Sequence, residues 1–355
     1  MSTTAIAPAL RTPVSLLTGF LGSGKTTLLG RLIRHPGMAD TAVIINEFGE
    51  IGLDHHLVEA VSGEAVLLAS GCVCCTMRDD LAATLRELYD KRERGEIPAF
   101  RRVVIETTGL ADPAPIIHSL LKHADVRQVY ALDSVISTID AVNGEAQLDR
   151  QPESVKQAAV ADRLVLTKAD LADEVRTEAL LRRLAQLNPE ADVVRADRGE
   201  VDPARLFEVE ALPRQRAAES GDEPEPGGYL ADVMRHVCGP DCGHACRPGG
   251  PGRHDAGIRT HAFRFDQPLD WERVSAWLGG LAYFHGDALL RMKGLLNLRN
   301  ESAPVAVHAV QHLFHDPVTL AGWPDEDRDS RLVFITQGLD REVIADALAL
   351  AMAED

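Results

Sequence analysis

Along the first 212 positions, short apolar runs alternate with longer stretches in which apolar residues recur every three or four places. Val14-Ser15-Leu16-Leu17-Thr18 is the first run, followed by a glycine-rich segment and a helical stretch from Thr27 to Arg34. Ala42-Val43-Ile44-Ile45 is the next, and similar runs lie at 65–69, 102–106, 128–132, 163–167 and 192–194. Apolar runs this short, bounded by turn residues, fit strands buried in a sheet, and the amphipathic stretches between them, notably 77–93 and 173–187, fit helices. Strands alternating with helices predict an α/β fold, a mostly parallel sheet with helices on both faces.

The pattern breaks at Pro213. Fifteen of the forty-five residues from Pro213 to Gly257 are Gly or Pro, a density that suits a linker and not a packed core. A short helix is expected within it near Tyr229 to Val237. Periodicity then resumes. Ile258 to Phe265 alternates like a strand, and Asp270 to Phe284 sets Trp271, Val274, Trp277, Leu278 and Leu281 at helical spacing. Strand-like runs at 288–298, 304–310 and 331–336 and a closing helix from Asp340 to Met352 complete a smaller α+β domain. The expected organisation is thus a first domain over 1–212, a linker over 213–257 and a C-terminal domain over 258–355.

Composition narrows the function classes. Of the 355 residues, 26% are charged and 45% hydrophobic, as in soluble globular proteins. No apolar run approaches the ~20 residues of a membrane span. Met1 to Pro13 lacks the basic-then-apolar order of a secretion signal, so a cytoplasmic location is expected. A net charge of −17 argues against broad nucleic-acid binding. The six cysteines fall in two groups, Cys72, Cys74 and Cys75, and Cys238, Cys242 and Cys246, and such clusters in a cytosolic chain point to metal or redox chemistry before disulfides.

Gly19-Phe20-Leu21-Gly22-Ser23-Gly24-Lys25-Thr26 has the full P-loop pattern, with a strand before it and a helix after. Around phosphate, the glycines Gly19, Gly22 and Gly24 let backbone N–H groups turn inward, Lys25 supplies a positive charge and Thr26 a hydroxyl for Mg²⁺, with Ser23 and Thr27 as further nucleotide-binding candidates. Glu106, at the end of Val103-Val104-Ile105, is the candidate acidic partner of Mg²⁺, and Gly109 after it is a candidate sensor of the γ phosphate. Thr167-Lys168-Ala169-Asp170 closes another apolar strand. A carboxylate at Asp170 accepts from both N1–H and the 2-amino group of guanine, a donor pair adenine lacks, so GTP is the expected nucleotide.

Gly71-Cys72-Val73-Cys74-Cys75 offers three thiolates, soft ligands suited to Zn²⁺, Cu⁺ or an iron–sulfur site, and leaves a fourth position to be filled from elsewhere or kept open. Between it and the P-loop lies Asn46-Glu47-Phe48-Gly49-Glu50-Ile51-Gly52-Leu53-Asp54, where a nucleotide-sensing switch belongs. Glu47 or Glu50 can reach a metal there, and Asp54 can reach Mg²⁺ or an attacking water. The linker adds His236, His244 and His254 among its cysteines, a candidate metal-collecting arm. His308, His312 and His315 are read as packing or surface residues.

These motifs, in this order, resemble the CobW-like metallochaperone GTPases, relatives of the UreG and HypB nickel-insertion GTPases. The resemblance covers 14–212 and, more loosely, the part from about 258. It implies a P-loop NTPase fold, GTP hydrolysis with Mg²⁺, Zn²⁺ or Co²⁺ as cargo at Cys72, Cys74 and Cys75, and a client metalloprotein as partner. It also puts His123 where some relatives have a metal-binding histidine. Thr167 departs from the Asn of many GTPases and is expected to weaken a supporting contact. Zinc delivery leads the functional readings, with Lys25, Thr26, Glu106 and Asp54 as catalytic candidates. Competing readings are a cobalt chaperone for cobalamin synthesis or a cobalt enzyme, a passive zinc buffer or sensor, and, with least support, a small-molecule kinase. Self-association is left open.

Overall fold

The computed structural model describes residues 11–46, 66–70, 77–207, 257–323 and 326–352. The segments carrying Glu47, Glu50, Asp54, Cys72, Cys74, Cys75 and the linker residues 213–256, with the helix expected at 229–237, lie outside the described residues. The chain divides into two units, residues 1–183 with 191–209, and 184–190 with 210–355.

The first unit is built on β1 (Thr12–Gly19), β2 (Thr41–Asn46), β3 (Val66–Ser70), β4 (Arg102–Glu106), β5 (Tyr130–Asp140), β6 (Arg163–Thr167) and β7 (Asp192–Arg195). They form one sheet in the order β3-β2-β4-β1-β5-β6-β7, parallel throughout. Its helices are α1 (Lys25–Leu32), α2 (Met77–Glu93), α3 (Ala114–Lys122), α4 (Ala124–Val129), α5 (Gly144–Arg150), α6 (Pro152–Val160), α7 (Glu174–Leu187) and the short α8 (Ala204–Phe207). Successive side chains on a strand face opposite ways. Leu17, Val43, Val104, Ile136, Val165 and Val194 line one face and meet Leu28, Leu29 and Leu32 of α1 and Phe207 of α8 in a single core. Val155, Ala158 and Ala159 of α6 are buried outside that cluster, so α6 covers the opposite face. This is a P-loop NTPase-type α/β unit with helices on both faces. β1 is central, and its carboxyl end opens between β4 and β5, the place where such sheets bind ligands.

One strand expectation is corrected. The run at 128–132 is not a strand in its own right: residues 124–129 form α4, and β5 begins at Tyr130 and continues to Asp140. Ser134, Ser137 and Thr138 interrupt its apolar pattern yet are fully buried. Ser134 bonds to Ser15 at 3.1 Å and Thr138 to Ser23 at 2.6 Å, so at these two positions hydroxyls satisfied by partners outside β5 replace the apolar residues that a reading by hydrophobicity requires, while Ser137 Oγ has no partner among the described residues.

The second unit has an antiparallel sheet of β8 (Ile258–Phe265), β9 (Leu289–Leu296), β10 (Val305–Val310), β11 (Leu313–Phe314), β12 (Val318–Thr319) and β13 (Ser330–Gln337). The order is β11-β10-β9-β13-β8, with β12 also on β10. Helices α9 (Trp271–His285) and α10 (Arg341–Met352) pack together. Asp270 caps α9 by accepting from Arg273 N at 3.2 Å. Trp277 of that helix stands edge-on to Phe263 and Phe265, with ring centroids 6.4 Å apart in each pair, and anchors a core with Phe334, Leu332 and Val274. His308 of β10 and His315, the residue after β11, stand edge-to-face with ring centroids 6.2 Å apart.

Candidate functional site

β1 ends at Gly19, where the chain must turn sharply. Gly19, Gly22 and Gly24 all have positive φ, at 138°, 72° and 92°. At Gly19 the restriction is also spatial, since a Cβ there would lie 2.6 Å from Thr138 O and 2.8 Å from Ser23 Oγ. Gly24, in the left-handed region, precedes α1, so the helix starts at Lys25 and its free N–H groups face the loop. Lys25 Nζ donates back to Gly19 O at 2.8 Å and Phe20 O at 3.1 Å. Burial lowers its pKa, and the nearby Glu106 carboxylate opposes that shift.

Thr26 Oγ1 donates to Glu106 Oε1 at 2.8 Å. Glu106 is buried at the end of β4, in register with Leu17 of β1, so parallel pairing of neighbouring strands delivers the carboxylate to the threonine. Thr107 continues this edge, its N donating to Leu17 O at 2.9 Å and its Oγ1 to Thr18 Oγ1 at 3.0 Å. Gly109 then comes against the phosphate loop, where a Cβ would lie 2.7 Å from Leu21 N. Its carbonyl accepts from Gln157 Nε2 at 3.2 Å.

The strand that ends in Thr167 and leads into Lys168-Ala169-Asp170 is tied to the same loop. Thr167 Oγ1 donates to Ser23 O at 2.7 Å, so the threonine makes a contact of its own with the phosphate loop. Lys168 has φ 55°, which turns the chain at the strand end. Its Nζ donates to Gly22 O and to Asp140 Oδ2, both at 2.7 Å. Asp140, buried at the end of β5, also accepts from Val142 N at 2.8 Å and Asn143 Nδ2 at 3.0 Å. Burial alone would raise its pKa, but the bonds from Lys168, Asn143 and Val142 together hold it below the usual aspartate value. Asp170 is exposed on the turn Ala169–Leu171. A cleft of about 840 Å³ runs along α1 and past its far end, lined by Thr26, Thr27, Arg31, Arg34 and His35 together with Glu200 and Asp202.

Thus Gly19, Gly22, Ser23, Gly24, Lys25, Thr26, Glu106, Gly109, Thr167 and Lys168 converge at the end of the sheet. His123 sits apart from them between α3 and α4, beside α2, the helix that follows the cysteine motif. Arg86 Nη2 lies 3.4 Å from His123 Nδ1, and because a guanidinium only donates, that nitrogen is the acceptor. Arg86 also pairs with Asp125. Among the described residues, no group of three or more His, Cys, Asp or Glu side chains stands ready to hold a metal. Asp140, Thr138 and Gln157 belong to the site's framework and were not singled out from sequence. Asp140 carried a signal, an acid closing an apolar strand beside the P-loop strand, but only once β5 is extended to its true end.

Comparison with known proteins places these observations. Residues 13–195 match the family model of the CobW/HypB/UreG nucleotide-binding domain, and residues 258–352 match that of the cobalamin synthesis protein cobW C-terminal domain. The zinc chaperone YjiA of Escherichia coli is 34% identical over 336 residues, 95% of this chain and 97% of its own. The zinc chaperone CobW of Pseudomonas aeruginosa is 30% identical over 382 aligned positions, 96% of this chain and 92% of its own. The crystal structure of Zn(II)-bound YjiA GTPase from E. coli superposes with a TM-score of 0.67 at 32% identity, covering 97% of this chain and 99% of that one.

Proposed function

The chain belongs to the CobW/HypB/UreG family and is a metallochaperone GTPase, and on that premise we propose that it carries zinc and that its GTP state sets its zinc affinity. The observation that carries the nucleotide half of this reading is the double tie between the phosphate loop and the base-reading strand, Thr167 to Ser23 and Lys168 to Gly22.

In the proposed reaction the P-loop backbone and Lys25 hold the β and γ phosphates, and Asp170 holds guanine. The Thr26 hydroxyl and the Glu106 carboxylate are hard oxygen donors already 2.8 Å apart, a donor pair that suits Mg²⁺. When bound there, Mg²⁺ neutralises charge on the phosphates. Asp54 orients the attacking water, and Gly109, pressed against the P-loop, reads the γ phosphate through its backbone N–H.

Cys72, Cys74 and Cys75 bind the zinc cargo. Glu47 or Glu50 completes the ligand set when GTP orders segment 46–54, His123 is the further candidate ligand, and hydrolysis releases the ion to a client metalloprotein. Support for zinc comes from the Cys-x-Cys-Cys thiolates and from the names of the two relatives. The Irving–Williams order favours zinc over cobalt at such a site.

Linkage provides the test. If GTP tightens zinc binding, zinc tightens GTP by the same factor, typically ~5–150-fold. Zinc affinity is measured by competition with a chelating dye, first with a non-hydrolysable GTP analogue and then with GDP. Tighter binding with the analogue is expected. Equal affinities would overturn the coupling and leave a passive zinc buffer.

A further inference from the structure

Gln157 of α6 is completely buried. Its amide nitrogen donates to Gly109 O at 3.2 Å and to Ala111 O at 3.0 Å, while its Oε1 has no hydrogen-bond partner among the described residues. A buried acceptor left unmet is costly; an apolar side chain of the same volume would spare that cost, and what it would give up is the donor to the Gly109 and Ala111 carbonyls. Packing of α6 therefore does not account for a glutamine at this position. Both of its amide protons are spent on one short loop, residues 107–112.

That loop joins Glu106 to α3 and lies against the phosphate loop at Leu21. α6 also holds the loop's far end, where Lys156 Nζ stands 3.7 Å from Asp112 Oδ2. Asp112 Oδ1 in turn accepts from Ala114 N at 3.0 Å and starts α3. Peptide groups are planar and trans, so two carbonyls fixed by one amide fix two peptide planes, and with them the directions of the Leu110 and Asp112 N–H groups.

We infer that Gln157 is a positioning residue that presets loop 107–112 for the γ phosphate, an inference that rests on the proposed reading of Gly109 as its sensor. Gln157 reaches the nucleotide only through the backbone of that loop. Its loss leaves GDP binding intact, because GDP offers nothing for the loop to grip. Its loss weakens GTP binding, because the loop must then be ordered at the expense of binding.

The test uses the full chain with Mg²⁺ and the variant Gln157→Met, which keeps volume and flexibility and removes both donors. Affinities for GDP and for a non-hydrolysable GTP analogue are measured together with the melting temperature. Two hydrogen bonds of ordinary worth predict an analogue affinity down about tenfold, with GDP affinity unchanged. An unchanged ratio of the two affinities, or an equal fall in both, overturns the inference while the functional reading stands. Wild-type protein that binds neither nucleotide overturns both. Should Gln157→Met not fold, hydrogen exchange in the wild type decides. The peptide spanning 107–113 is expected to exchange more slowly with the analogue than with GDP, and equal exchange overturns the inference.

Discussion

Thr167 ties the end of β6 to the phosphate loop through a single hydroxyl. A hydroxyl two bonds from the backbone reaches Ser23 O at 2.7 Å because β6 ends directly beside the phosphate loop. Lys168 makes the second tie, and its charge is balanced by the buried Asp140. The exposed Asp170 on the next turn stays available for a ligand. With Asp170 as the guanine reader, Asp170→Asn faces the N1–H and 2-amino donors of guanine with a donor of its own. GTP affinity is expected to fall by roughly a hundredfold or more, and xanthosine triphosphate, whose 2-oxo group accepts from an amide, is expected to gain. Competition binding of GTP, ATP and xanthosine triphosphate to both proteins checks this. Equal affinity of the wild type for ATP and GTP would end the guanine reading.

At the scale of elements, the pairing of β1 with β5 contains an irregularity between Val14 and Ser15, and Asp133 is the residue left over on β5. Its carboxyl accepts from Ser15 Oγ at 3.0 Å. Desolvation, against the pull of the Ser15 and Ser134 hydroxyls, pushes its pKa to about 6. A folded-state value above the unfolded one means the protonated form favours folding. That contribution is fully present below about pH 4 and is lost as pH rises through about 6. Asp133→Asn keeps an acceptor for Ser15 without the charge. It is expected to gain ~1–3 kcal/mol relative to wild type between pH 4 and 7, read from urea midpoints across that range. Parallel pH profiles would show that the group is not strained by burial. In the second unit, Asp270→Ala removes the cap of α9 and is expected to cost ~1 kcal/mol, a few degrees in Tm; an unchanged Tm would show that the Trp277 core carries that helix end unaided.

These elements also show what sequence reveals and what it hides. α2, β6 and α9 announce themselves because their apolar spacing is unbroken, and the P-loop does so because glycine, lysine and threonine have no other reason to share that spacing. β5 was legible only in its first residues. Ser134 and Thr138 in its interior are satisfied by partners on β1 and the phosphate loop, which lie more than a hundred positions away in the chain. Gln157 was hidden for the same reason, since a lone polar residue in a helix discloses nothing until the carbonyls of Gly109 and Ala111 are found beside it.

For the molecule as a whole, the nucleotide machinery described above lies entirely within the first unit. The cysteines and histidines of 229–256 are therefore expected to be dispensable for chemistry. Deleting that segment should leave basal GTP hydrolysis nearly unchanged and lower the number of zinc ions bound per chain, measured by phosphate release and elemental analysis. Hydrolysis lost from a folded deletion would place the segment in the active site.

The two ties between β6 and the phosphate loop bear on fidelity in a cell where ATP competes for any P-loop. If base and phosphates were held by independent parts, an ill-fitting purine would be rejected only once, by binding less often. Here Thr167 and Lys168 immediately precede the turn that carries Asp170, the proposed guanine reader, and they also bond to the phosphate loop at Ser23 and Gly22. A purine that pulls the turn out of place disturbs the grip on the phosphates as well. On the proposed guanine reading, discrimination is expected to act on occupancy and again on turnover, which would leave ATP, even when abundant enough to enter, an inefficient fuel.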